Sequence, residues 1–80
     1  MGYSKDERSF LLRVGKAIRE AREKKGWSQE ELGFQSRVHR TYVGAVERGE
    51  RNVSLLSLRK ITQSLKIPIA SVLEGVDHGK

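Results

Sequence analysis

No cysteine occurs in the sequence, so disulfides, thiolate metal sites and cysteine nucleophiles are excluded together. Proline is limited to Pro68, and no apolar run approaches the roughly 18 residues that a membrane span requires. No apolar signal region follows Met1, and Asp6 stands where an N-myristoylation signal wants Ser or Thr. The expectation is a soluble, cytoplasmic protein with no membrane partner. Histidine is confined to His39 and His78, and neither an HExxH motif nor a Walker-type phosphate loop is present. Without a paired base and nucleophile, the chain is expected to have no catalytic residue, no metal site and no cofactor, and not to be an enzyme. Acid is the scarcer charge: 10 Asp and Glu face 16 Lys and Arg, for a formal net charge of +6 and a pI near 10.1. So basic a balance in a small chain favours polyanion partners, nucleic acid ahead of membranes.

What is present reads as one all-α domain. The 36% of hydrophobic residues and 8 glycines bring apolar content near the globular total of about 45–50%, so the chain should fold. Eighty residues bury only about 60% of their unfolded surface, which makes a monomer modestly stable and gives dimerisation something to add. Residues 1–8 read as a polar extension and 77–80 as a tail, both expected to be mobile. Phe10, Val14, Ala17, Ile18 and Ala21 repeat at helical spacing, begun by Ser4 with Glu7 or by Ser9 and stopped by Gly26 after Lys24 and Lys25. Beyond the loop from Gly49 to Val53, Ser54 or Ser57 caps a fourth helix with the stripe Leu55, Leu58, Ile61, Thr62 and Leu65. Pro68 opens a short fifth helix carrying Ile69, Val72 and Leu73, ended by Gly75.

The stretch from Trp27 to Arg51, WSQEELGFQSRVHRTYVGAVERGER, organises the rest. Ser28 is a good N-cap, Glu31 completes a capping box with it, and Trp27 and Leu32 occupy the two positions of a hydrophobic staple. A second helix is expected over 29–36 and a third over about 40–48, with Gly49 as its stop. Leu32, Gly33, Ser36, Val43 and Val46 give each helix a narrow buried face, with Val38 in the connection. Gly33 fits a helix crossing where a larger side chain would push the backbones apart; Gly44 faces outward, which suits either close approach to DNA or plain drift. The outward residues His39, Arg40, Thr41, Gly44, Ala45 and Arg48 suit a helix that enters the DNA major groove.

This segment resembles the helix-turn-helix of the Cro and phage-repressor (XRE-type) family. The run HRTYVGAVERGERNVSLLSL is similar in particular to the small single-domain regulators of that family, among them the controller proteins of restriction-modification systems. The resemblance spans about residues 14–75 and implies a five-helix repressor-like DNA-binding domain with a central helix-turn-helix. One position departs from the pattern. Arg37 stands in the turn where Gly or Asn is usual, so a left-handed backbone there would cost about 1 kcal/mol.

By the same resemblance, first-turn positions of the third helix touch bases. Arg40 can reach both acceptors of a guanine edge, Thr41 can bond a base edge or set its methyl against thymine, and Gly44 and Ala45 lie on the same face. Gln29 takes the position whose glutamine holds the DNA backbone in the family. With His39, Arg48, Arg51 and Asn52 it makes up a phosphate-contacting set, joined by Tyr42 if its hydroxyl reaches DNA while its ring lies partly in the core. Glu47 and Arg22 match the family's architectural ion pair. Lys5, Lys24, Lys25, Arg59 and Lys60 read as solvated charges.

The expected function is sequence-specific binding of double-stranded DNA by a homodimer on a palindromic operator, in transcription regulation, with RNA polymerase as a further candidate partner. Ile69, Val72 and Leu73 are the candidate dimer interface, following the family's small members, or else they close the monomer's own core. Two rivals remain at this level. An antitoxin or co-activator module would reuse the fold to bind protein. RNA binding is disfavoured, since a helix cannot enter the narrow RNA major groove and only Tyr3, Phe34 and Tyr42 offer stacking.

Overall fold

The structure, a computed structural model, describes residues 2–73. The expected stop at Gly75, His78 and the tail over 77–80 lie outside the described residues. Among those described, five helices and no strand occur: α1 Lys5–Lys24, α2 Gln29–Ser36, α3 Arg40–Glu47, α4 Leu55–Leu65 and α5 Ile69–Leu73.

Helix α1 begins at the earlier of its two candidate caps. Ser4 Oγ accepts from the Glu7 N–H at 3.1 Å and Glu7 Oε1 accepts from the Ser4 N–H at 2.9 Å, so two orphan amides are satisfied at once. Residues 5–8 are thereby drawn into the first turns of the helix and do not form a loose extension. The buried stripe is Leu11, Val14, Gly15 and Ile18, at helical i, i+3, i+4 and i+7 spacing. Phe10, expected within it, lies one residue off that stripe and is 44% exposed. Gly26, at φ 73°, ends the helix in a backbone region that suits glycine.

Helix α2 starts at Ser28, whose hydroxyl accepts from the Glu31 N–H at 2.9 Å. Only half of the expected capping box is made here: the Glu31 carboxylate accepts from Gln35 Nε2, one turn onward, at 2.6 Å. Trp27 packs against the core whose member Leu32 is fully buried, as a staple requires. At the end of α2 the chain turns through Arg37 at φ 62°, so the left-handed backbone whose cost the sequence raised only conditionally is adopted, and the Val38 N–H returns to the Gly33 carbonyl at 3.0 Å. A Cβ on Gly33 would stand 2.6 Å from the Val38 carbonyl oxygen, so this glycine does permit the close turn into α3.

The core gathers Val14 and Ile18 from α1, Leu32 from α2, Val43 and Val46 from α3, Leu58, Ile61 and Leu65 from α4, and Val72 from α5. Helix α2 packs on α3 and α4, while α1 lies across α3 and α5. The crossing of α1 and α3 rests on Gly15, which sequence reasoning passed over: a Cβ there would collide with the Val46 carbonyl oxygen and lie 2.6 Å from that of Glu47. Ser54 caps α4, accepting from the Ser57 N–H at 3.1 Å. Leu55, expected in the buried stripe, is 74% exposed, because the first residue of α4 projects past the rim of the core. Val72 requires a correction as well. It is 3% exposed and belongs to the monomer's own core, whereas Ile69 and Leu73 are half-buried at its edge.

Candidate nucleic-acid interface

The orientation of α3 is fixed by one buried carboxylate. Glu47, at its last residue, accepts from Arg22 Nε at 2.7 Å, from Arg22 Nη2 at 3.0 Å and from Gln29 Nε2 at 3.0 Å. Arg22 also donates through Nη1 to the Trp27 carbonyl at 2.7 Å. A single cluster therefore joins the end of α1, the α1–α2 turn, the start of α2 and the end of α3. The side chains of Arg22 and Glu47 are 11% and 3% exposed. Among the described residues no buried side-chain polar atom lacks a partner. Hydrogen bonding to Glu47 raises the Arg22 pKa above its usual value, against a smaller opposing effect of burial, so the guanidinium stays charged.

Beside this network lies the outward surface of the helix pair. Arg40 and Thr41 are exposed at the start of α3, and the Arg40 guanidinium lies 3.8 Å from Glu30 in an exposed, water-screened contact. His39 is the N-cap of α3: its Nδ1 accepts from the Thr41 N–H at 3.1 Å and sits 2.8 Å from Thr41 Oγ1. Ala45 is half-buried. Gly44 is not open as expected. It is buried, and a Cβ on it would meet Arg48 Nη1 and Gln29 Oε1, each at 3.1 Å. Those two side chains cover Gly44, so its backbone is reached from outside only where one of them turns aside.

The flanking residues are arranged unequally. Gln29 donates one amide N–H to Glu47, with its carbonyl oxygen set over Gly44. The Tyr42 ring packs against the core, and its hydroxyl accepts from the Ser54 N–H at 3.2 Å, within the chain itself. Arg51 lies over that ring, 5.2 Å from its centroid. Arg48 donates to Glu50 at 3.1 Å, and this hydrogen bond raises its pKa. Asn52 sits farther along, in a shallow hollow with Tyr3 and Phe10 from the start of the chain. Two further groups, outside the set expected to contact DNA, join the same surface. Phe34, 78% exposed, and Arg37 line a hollow with Glu30, His39 and Arg40 between α2 and α3. The signal for Phe34 was its place on α2 off the buried positions Leu32, Gly33 and Ser36.

An α2–turn–α3 unit of this geometry, with a rigidly held second helix, is the arrangement that the family resemblance implies. The sequence model of the helix-turn-helix family matches residues 18–72, more than half of the chain. The chain belongs to the helix-turn-helix family. This helix-turn-helix chain is 41% identical over 72 residues to the control protein C.BamHI of Bacillus amyloliquefaciens, covering 89% of both chains. It is 36% identical over 67 residues to the control protein C.MunI of a Mycoplasma species, covering 82% of this chain and 90% of that one. In three dimensions it is similar to the restriction-modification controller protein C.AhdI from Aeromonas hydrophila, with a TM-score of 0.78 and 45% identity over 80% of this chain and 97% of the other. The relatives compared are control and controller proteins. No helix among the described residues is long and apolar enough to cross a membrane.

Proposed function

We propose that this helix-turn-helix chain is a sequence-specific, double-stranded DNA-binding transcription regulator that acts as a two-fold dimer on an inverted repeat. The observation that carries the reading is the clamping of α3 by Glu47, Arg22 and Gln29 while Arg40 and Thr41 are exposed at its start. A helix held at its far end, with polar side chains projecting from its first turn, can be laid in the major groove in one orientation. Arg40 reads a base, its contact with Glu30 being weak enough to exchange. Arg48, Arg51, Gln29 and His39 hold phosphates on either side, and Asn52 extends that contact. The controller proteins among its relatives point to genes of a restriction-modification system as the regulated class.

Dimerisation uses the half-buried Ile69 and Leu73 at the edge of α5, with Val72 behind them in the core. Two recognition helices related by a two-fold axis meet the same face of DNA when the half-site centres lie about 10 bp apart or a multiple of it. Selection of bound duplexes from a random pool tests all of this at once. The expected consensus is an inverted repeat with that spacing, bound by two chains. An enriched site with one asymmetric element bound by one chain, or no enrichment at all, would overturn the proposal; a protein-bridging module would give the latter.

A further inference from the structure

We infer that His39 sets the hydrogen-bonding polarity of Thr41, so that Thr41 acts in the groove only as an acceptor and recognises the exocyclic amino group of an adenine or a cytosine. This deepens the DNA-reading proposal and rests on it. His39 Nδ1 accepts the backbone N–H of Thr41 at 3.1 Å, so that nitrogen carries a lone pair and the ring proton resides on Nε2. Thr41 Oγ1 lies 2.8 Å from the same nitrogen. Two lone pairs would repel at that distance, so the hydroxyl hydrogen must point at Nδ1. Thr41 has only one such hydrogen, and it is committed inward; what its exposed oxygen presents to a partner is lone pairs.

The consequence is chemical selectivity at one base pair. In the major groove the amino nitrogens of adenine and cytosine are donors, while thymine O4 and guanine O6 are acceptors. Each pair carries one of each, so an acceptor-only Thr41 fixes which strand bears the amino base. It leaves A and C on that strand alike as far as this bond is concerned. The other face of the same device supports the phosphate role of His39: the tautomer that caps α3 leaves Nε2–H as a donor.

The test begins with the pool selection and identifies the base pair whose preference disappears in Thr41→Val. At that pair, duplexes are made with the exocyclic amino group removed from one base, or with the keto oxygen removed from its partner. Loss of the amino group should weaken the unaltered chain about two- to tenfold, the range of one net hydrogen bond, and leave Thr41→Val within about twofold. Loss of the keto oxygen should have no effect on either. His39→Ala frees the hydroxyl to rotate, so the penalty for removing the amino group should shrink. His39→Asn, whose side-chain oxygen can accept both bonds and cap the helix, should retain it. A penalty that falls on the keto oxygen, or one that persists unchanged in a folded His39→Ala, overturns the polarity assignment alone. If the unaltered chain enriches no sequence, the reading of this surface as a base reader falls, and this inference with it.

Discussion

Replacing Glu47 with Ala removes the acceptor of three hydrogen bonds, two from Arg22 and one from Gln29, and strands a guanidinium whose side chain is only 11% exposed. Breaking a buried pair from one side costs about 3–5 kcal/mol, because the surviving charge keeps its desolvation penalty and loses its compensation. Total stability for a domain of this length is about 4–12 kcal/mol, so the variant should be partly unfolded at the lower end of that range. Arg22→Ala should cost at least as much, since it also releases the Trp27 carbonyl and leaves Glu47, the more buried partner, unpaired. An apolar double replacement, Arg22→Met with Glu47→Leu, should cost far less than the two single changes together. Urea denaturation at one fixed protein concentration measures all of these, the fixed concentration keeping any dimer contribution constant. A loss below about 1 kcal/mol for Glu47→Ala, the worth of an exposed pair, would refute the buried-clamp reasoning. So would a double variant whose loss equals the sum of the singles.

Gly15→Ala should destabilise by about 1–3 kcal/mol in thermal melts, because the new methyl must displace the α3 backbone, while Gly2→Ala, which meets nothing, should be silent. Arg37→Gly and Lys66→Gly should each raise stability by about 0.5–1 kcal/mol, since both native residues hold left-handed φ; no gain at either would mean the strain is relieved in some other way. Val72→Asp should lower the melting temperature at every protein concentration, as expected for charge placed in a core; intact monomers that merely fail to pair would return Val72 to the interface. Arg40→Ala should lose about 1–3 kcal/mol on the preferred duplex with little change on random DNA. By contrast, Arg51→Ala should weaken both and reduce the salt dependence by about one phosphate per subunit. Titrations of both variants across a salt series would show the roles reversed if the loop is the reader.

Much of the architecture was legible in the chain because it depends on neighbours a few residues away. The bounds 29–36 for α2 follow from Ser28, Leu32 and the turn after Ser36, and all of these signals lie within one or two helical turns of the residue they govern. The left-handed Arg37 could be posed as a conditional cost for the same reason: the turn's backbone is set locally, and the residue type departs from what that backbone prefers. The pairing of Arg22 with Glu47 was legible by a different route, from family resemblance, since nothing in local spacing joins residues 25 apart.

What tertiary structure decided was every question of which surface covers which. Periodicity assigned Leu55 and Phe10 to buried stripes, but burial depends on how far the neighbouring helices extend, and both residues lie at the rim. Val72 could have served a dimer or the monomer, and the packing of α5 on α1 chose the monomer. Gly15 gives no local signal, because its need arises from α3 carbonyls more than 30 residues away in sequence. The partners of Gln29 and Thr41 belong to the same class. Their side chains were identified as candidates by position, but the atoms each has left to offer a ligand are fixed only by the hydrogen bonds already made to Glu47 and His39. Sequence thus determined where the helices and candidate contacts lie, through local forces. The fold determined which donors and acceptors remain free, because hydrogen-bond capacity is consumed by contacts between residues brought together in space.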